Sequence, residues 1–418
     1  MNSTHFNYRV PLFALLFFGI ITSSAQGTIN VMSYNILDFP SAGPSDRPLI
    51  LKDILDQYQP DIFMACELET EAGADVILNQ SLDSRYSRAP FVANTSGSSA
   101  IHQMVFYRND KFTLEETGIV QTNVRDINHY LLKLNTLNGN SSPVRVNLYV
   151  AHLKSSQGSQ NENLRLGMVQ AFTAHLATLD PAAFVIFAGD LNLYNSNEPA
   201  YLQLLDPTNP IVMKDPIDRP GLWHTNLDFR DIHTQSTRTS AVPFGAGAGG
   251  GMDDRFDFMT ISENMTAHPL LHYLPNSYRA YGNNGNCYNK SINDPACSGV
   301  YGQGLRDKLY NMSDHLPVVM QLETSEEIVL GSAELAVPQP KIVLERTVVH
   351  SQLSLHVPLG LSGPVRFEVF NTYGQRVLTF SGKAAQKLTV PVGQLSGGMY
   401  YICSSPAQQQ PLKFIITR

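Results

Sequence analysis

Six short stretches put metal-competent or proton-carrying side chains at the ends of apolar segments. Asn35 follows NVMSY, Glu67 follows PDIFMAC, and His152 follows VNLYVA with Lys154 just beyond. Asp190 and Asn192 follow VIFAG, Asp254 and Asp257 frame DRFD, and Asp314-His315 precede LPVVM. Taken singly, each is ordinary, because Asp and Asn at strand ends commonly cap or turn the backbone. Taken together, they supply what phosphate-ester hydrolysis needs. A hard divalent cation takes carboxylate and amide oxygens, which Asn35, Glu67 and the aspartates offer. Attack by water needs a proton acceptor near neutrality, for which histidine is suited. A carboxylate such as Asp257 can fix the tautomer of His315 and stabilise its charged form. Other chemistries are excluded: the chain has no G-x-S-x-G elbow, Walker A loop, H-E-x-x-H pair or EF-hand loop.

Ligand sites of α/β sheets lie beyond strand ends, so the elements carrying these residues matter next. Apolar runs predict strands at Ile29–Tyr34, Asp61–Cys66, Gln103–Tyr107, Leu131–Leu134, Val144–His152, Phe184–Ala188, Phe256–Ile261 and Leu316–Leu322. Helical periodicity places Leu49, Ile50, Ile54, Leu55 and Tyr58 on one face, and Leu166, Val169, Phe172, Leu176 and Leu179 on another. Interleaved helices and strands argue one large α/β domain over residues 27–322. The AGAGGG run at 246–251 is too glycine-rich to hold structure alone and reads as a mobile loop. Of the 418 residues only 16% are charged, which argues against coiled coils and charged disordered tails. A formal net charge of −7 excludes a protein that coats DNA by general basicity, though not a metal-dependent nuclease.

The chain ends carry other information. Residues 1–25 read as a secretory signal: Arg9, then the apolar VPLFALLFFGII, then small residues before Gln26. No other apolar run is long enough to span a bilayer. In an exported chain the four cysteines permit disulfides, and Cys287 with Cys297, flanking a polar loop, is the expected pair. Cys66 reads as a buried small hydrophobe. The acidic, small and proline residues of 323–340 read as a linker, and the alternating short strands of 341–418 as a small β-sandwich without chemistry of its own.

The ordered set MSYNIL, PDIFMACE, YVAHLKSS, GDLN, DDRFDF and SDHLPV resembles the endonuclease/exonuclease/phosphatase superfamily, which includes deoxyribonuclease I, abasic-site endonucleases, sphingomyelinases and inositol-polyphosphate 5-phosphatases. The resemblance covers about 29–320 and implies a four-layer α/β/β/α sandwich of deoxyribonuclease I type, ahead of the small all-β sandwich. It implies that Asn35, Glu67 and Asp314 belong to a metal site for Mg²⁺, with Mn²⁺ or Ca²⁺ as alternatives. It further implies that Asp190 and Asn192 orient water and phosphate, that His315 with Asp257 is the catalytic pair, and that His152 lies near the scissile phosphate. Because ANTSGSSAIH has no carboxylate to support it, His152 is expected to bind an oxygen rather than act as a strong acid. Arg125 and Arg165 are candidate phosphate contacts, with a surface ion pair as the alternative for each. The implied protein is a monomeric, exported, divalent-metal phosphodiesterase, foremost a nuclease on extracellular DNA or RNA. Sphingomyelinase-like or inositol-phosphate activity, with GLWH around Trp223 as a membrane-facing edge, and a non-catalytic surface-binding protein are the alternatives. The tail pieces VRFEVFNTYGQRV, VPVGQLSGGMYYI and LKFIITR resemble the sorting domain of type IX secretion cargo of Bacteroidetes, which implies the type IX machinery as partner and a secreted or cell-surface location reached through the periplasm.

Overall fold

The computed structural model describes residues 27–330 except 98 and 242–243, and then 342–357, 365–383, 386–405 and 411–418. The expected signal segment, and 331–340 of the expected linker, lie outside these residues. The chain divides into two compact units, residues 1–330 and 331–418.

In the first unit the strands and helices are β1 (Gly27–Phe39), α1 (Arg47–Tyr58), β2 (Ile62–Leu68), α2 (Glu71–Val76), β3 (Tyr86–Arg88), β4 (His102–Arg108), β5 (Phe112–Val120), β6 (Ile127–Leu134) and β7 (Arg145–His152). They continue with α3 (Ser159–Leu176), β8 (Phe184–Asp190), α4 (Pro199–Leu204), β9 (Met213–Lys214), β10 (Asp257–Ser262), β11 (His272–Tyr273), β12 (Arg279–Ala280), α5 (Gln303–Met312) and β13 (Val318–Thr324). The first sheet runs β11-β13-β1-β2-β4-β3, with β12 also on β13, and the second runs β5-β6-β7-β8-β10-β9. Strands buried along nearly every residue, such as FVIFAGD of β8, are covered on both faces. Apolar side chains of both sheets, with those of α1 and α5, form one core, and α3 and α4 close a second core against β7, β8 and β10. The result is the four-layer α/β/β/α sandwich.

Local chemistry explains where the elements depart from the sequence pattern. In α1 the inward positions are Arg47, Leu51, Ile54 and Leu55, while Leu49 is exposed. Arg47 takes the inward slot because its guanidinium donates to the carbonyls of Ile36, Leu37, Ala42 and Met312. Glu323 and Thr324 finish β13, and the backbone then pairs at Leu137–Glu327 and Asn135–Val329, so the segment read as linker begins inside the first unit. Cys287 and Cys297 are joined. Cys66 is fully buried, its thiol facing the carbonyl of Ala151 across the two sheets.

The second unit holds β14 (Val343–Leu344), β15 (Val348–Val349), β16 (Gln352–Val357), β17 (Val365–Asn371), β18 (Arg376–Gly382), β19 (Gln386–Pro391), β20 (Gly398–Ser405) and β21 (Leu412–Ile416). A three-stranded sheet and a five-stranded sheet share a core that includes Leu353, Leu355, Phe367, Val369, Ile402 and Phe414.

Gly189, at φ 136°, has the tightest glycine contact between strands: a Cβ there would stand 1.8 Å from the carbonyl oxygen of Ala151. Gly189→Ala is expected to cost at least ~2 kcal/mol, from backbone strain plus that collision. Urea denaturation checks this, and an unshifted midpoint would contradict the close approach.

Candidate active site

Strand register brings the chemistry together. In the second sheet β7 and β8 pair His152 with Asp190, and β8 and β10 pair Asp190 with Asp257. Residues opposite one another on neighbouring strands project to the same face, so these three form a row. In the first sheet β1 and β2 pair Asn35 with Cys66, and Glu67 follows at φ 61°. The row and this pair meet at one edge of the seam between the sheets. Asn35 Nδ2 donates to Glu67 Oε1 at 2.8 Å and, across the seam, to Asp190 Oδ2 at 3.1 Å. His315, just ahead of β13, bonds through Nδ1 to Asp257 Oδ2 at 2.7 Å, again from one sheet to the other. Its Nε2 stands 3.6 Å from Asp190 Oδ2. His152 Nε2 lies 3.4 Å from Asp190 Oδ2, and its Nδ1 3.8 Å from Glu67 Oε1. Asn192, in the left-handed conformation that Asn tolerates, donates its backbone N–H to Asp190 Oδ1 at 3.0 Å.

Burial sets the charges. Burial, reinforced by Asp257 and Glu67, pushes Asp190 up to about 7 despite His315, and burial also raises Glu67. Burial alone would lower His315, but Asp257, Asp314 and Asp190 outweigh it and hold the imidazole well above its ordinary value. Burial, with Arg125, His315 and Lys154, drives His152 well below the usual histidine range. His152 is therefore a neutral ring, and its Nδ1 has no hydrogen-bond partner. That agrees with the lack of a supporting carboxylate in ANTSGSSAIH.

The donor set suits a divalent cation. Ligand atoms of Glu67, His152 and Asp190 lie within 4.8 Å of one another, with the Asn35 amide between the two carboxylates. Raised carboxylates packed this closely call for a positive charge among them. Asp314, expected as a metal residue, stands outside that tight group. Its Oδ2 accepts from Ala248 N at 2.7 Å and from Gln235 Nε2 at 3.1 Å, while Oδ1 is buried without a partner.

The two arginines separate. Arg125 is almost buried and donates from Nη1 to the His152 carbonyl at 3.1 Å, so it borders the site instead of forming a surface ion pair. Arg165 is a correction. It is fully buried, donating from Nε to Glu198 Oε2 at 2.8 Å and from Nη1 to the carbonyls of Lys154 and Ser156. Its guanidinium fixes the turn after His152 and has no face left for substrate.

Three supports went unread in the sequence. Gln235, in the segment HTQST, places Nε2 2.6 Å from His315 Nε2, and the same segment pairs with Asp254 and His315 through its backbone. The glycine run is not free: Ala248 holds Asp314, Gly250 and Gly251 pair with Thr239 and Arg238, and a Cβ on Gly247 would meet the Asp314 carboxyl at 2.9 Å. Ser313 Oγ donates to the Asn35 carbonyl at 2.7 Å, tying the His315 turn to β1. The glycine pattern alone held a clue, since glycines tolerate close backbone approach.

No protein-family model matches the chain, and no curated protein matches it in sequence. Among solved structures it is similar to TDP2 of D. rerio complexed with single strand DNA product, at 17% identity and TM-score 0.49, covering 71% of this chain and 99% of that one. The catalytic domain of human Nocturnin with bound sulfate anion gives 14% identity and TM-score 0.43, covering 71% and 94%. An endonuclease/exonuclease/phosphatase from Beutenbergia cavernae DSM 12333 gives 15% and 0.41, covering 93% and 100%.

Two outcomes follow from this geometry. Arg165→Ala leaves Glu198 buried without its counter-charge and is expected to cost ~3–5 kcal/mol; a thermal midpoint matching the parent chain would restore Arg165 to the surface. Asp190 and His315 both hold protons more tightly folded than unfolded. The stability they contribute is present below the unfolded values and lost as pH rises through the folded ones. With EDTA present, the melting temperature is expected to fall as pH rises from 3.8 to about 7, where Asp190 keeps its proton folded but not unfolded, with Asp190→Asn flattening the slope. Equal slopes in the two proteins would contradict the raised carboxyl.

Proposed function

We propose that the first unit is a divalent-cation-dependent phosphodiesterase whose substrate is a nucleic acid. The observation that carries this reading is the cross-seam set, in which Asn35, Glu67, Asp190, Asp257 and His315 meet through hydrogen bonds at one sheet edge. A bound Mg²⁺ or Mn²⁺ would be held by Glu67 beside Asp190, with Asn35 as a ligand only through Oδ1, and would supply Lewis acidity to the phosphate ester. Asp257 fixes His315 through Nδ1, so Nε2 faces the space beside Asp190 and would donate to a phosphoryl oxygen that takes the place of the Gln235 amide nitrogen. Asp190 Oδ2, beside both imidazoles, is placed to accept the proton of the attacking water. This differs from a histidine acting alone as base, because three carboxylates keep His315 charged. The neutral His152 ring, held beside Asp190, and Arg125 behind it border the same space.

The lipid reading loses its aromatic edge. Trp223 is fully buried and donates its indole N–H to the carbonyl of Arg219. Among the described residues no helix is long and apolar enough to cross a membrane. We carry export and surface sorting as part of the same proposal, supported by the apolar VPLFALLFFGII run and by the strand-rich tail motifs.

Purified protein with Mg²⁺ or Mn²⁺, assayed on plasmid, single-stranded DNA, RNA, sphingomyelin and inositol phosphates, tests the reading. Hydrolysis of polynucleotides that EDTA abolishes is expected, and His315→Ala and Asp190→Ala each lower kcat by ~10²–10⁴ with the fold intact. Turnover that survives EDTA contradicts the cation, and hydrolysis confined to sphingomyelin or inositol phosphates contradicts the nucleic-acid substrate.

A further inference from the structure

A second histidine–carboxylate pair stands beside the first. His224 Nδ1 bonds to Asp254 Oδ1 at 2.6 Å, and its Nε2 meets the side-chain amide of Gln157 at 2.9 Å. The arrangement repeats that of the catalytic pair, where Asp257 holds His315 Nδ1 and Gln235 meets Nε2. The same strand ends deliver both. Gln157 lies five residues beyond His152 at the end of β7. Tyr194, whose ring packs edge-on to His224 with centroids 5.2 Å apart, lies two residues beyond Asn192 at the end of β8. Asp254 precedes Asp257 of β10 by three residues, and its backbone pairs with Gln235. The two pairs are thus joined by HTQST and line one rim.

Their surroundings differ. The side chain of His315 is 3% exposed, whereas that of His224 is 31% exposed and Asp254 behind it 13%. A half-open imidazole, backed by a mostly buried carboxylate that holds one nitrogen, leaves its other nitrogen to Gln157. Gln157, the group covering that nitrogen, is itself an exposed side chain on a loop. A purely structural histidine gains little from such a partner, since a solvent-facing amide contact exchanges readily with water. An imidazole backed by a carboxylate suits a phosphate oxygen, which accepts from the ring where Nε2 carries a proton and from the Gln157 amide beside it.

We propose that His224, Asp254 and Gln157 form a second phosphate subsite, which takes the phosphate group next to the scissile one. This rests on the phosphodiesterase reading of the neighbouring site, and it makes the rim prefer substrates with consecutive phosphates. A free terminal phosphate and an internucleotide phosphate share this chemistry, and the substrates below separate them.

The test compares kcat/KM on three thymidine substrates: a dinucleotide with one internal phosphate, the same dinucleotide with a terminal phosphate, and a trinucleotide. The parent protein is expected to favour the last two, and His224→Ala and His224→Gln to shrink that preference about tenfold, the scale of one charge-assisted hydrogen bond, mainly through KM. A preference confined to the terminally phosphorylated dinucleotide assigns the subsite to a free phosphate, and one shared by the trinucleotide assigns it to the chain. A second readout needs no turnover: titration with inorganic phosphate should move the His224 ring signals in NMR, assigned by their loss in His224→Gln. If no substrate is hydrolysed, the phosphodiesterase reading falls, and with it the placement beside a scissile phosphate; the NMR titration still reports whether the anion binds. A preference unchanged in both variants, or ring signals unmoved by phosphate, overturns the subsite.

Discussion

The site exists only where two sheets meet, and the hydrogen bond between Asp257 and His315 is the join on which it depends. Asp257 comes from the second sheet and His315 from the turn leading into the first. The contact of Asn35 with Asp190 repeats the crossing. A one-residue slip of β8 against β10 would turn Asp190 or Asp257 away from the seam, since side chains alternate faces along a strand. Packing between the sheets and assembly of the chemistry are therefore one event.

That arrangement concentrates acid in a chain otherwise sparing with charge. Glu67, Asp190, Asp257 and Asp314 lie close enough to raise one another or His315. Burying like charges together is costly unless a counter-charge is present. Within the protein His315 supplies part of it, and the remainder is what a cation offers. Arginines do the complementary work behind the site. Arg47 fastens the end of β1 to the end of α5, and Arg165 fastens the turn after His152 to Glu198. The few basic residues in this region are spent largely on holding backbone.

Much of this was legible in the sequence, for physical reasons. Strands covered on both faces read as unbroken apolar runs, so their ends could be located, and the polar residues at those ends stood out. Asn35, Glu67, His152, Asp190, Asn192, Asp257 and His315 stand out in that way, and the fold gathers them at one seam. What stayed hidden depends on partners distant along the chain. The burial of Arg165 follows from Glu198, 33 residues later, and nothing in the local pattern shows it. Gln235 lies in a stretch without period, placed by backbone pairing to Asp254 and His315. Leu49 matched a helical face but lies outward, because Arg47 takes the inward slot and satisfies four carbonyls there. The strand β5 escaped because FTLEETGIV lies at a sheet edge and is largely open to solvent.

The bridge between Cys287 and Cys297 reaches further than its own loop. Inside it, Ile292 donates to the carbonyl of Thr237, and Ser291 accepts from Thr239, so the loop braces the segment that presents Gln235 and flanks the glycine run. Closing a loop of this size removes roughly 2–3 kcal/mol of denatured-chain entropy. The brace is therefore a matter of the surrounding thiol–disulfide balance as much as of sequence. Chains made in a reducing medium lack that staple behind Gln235, so preparations that differ only in oxidation history differ in how firmly this loop is held.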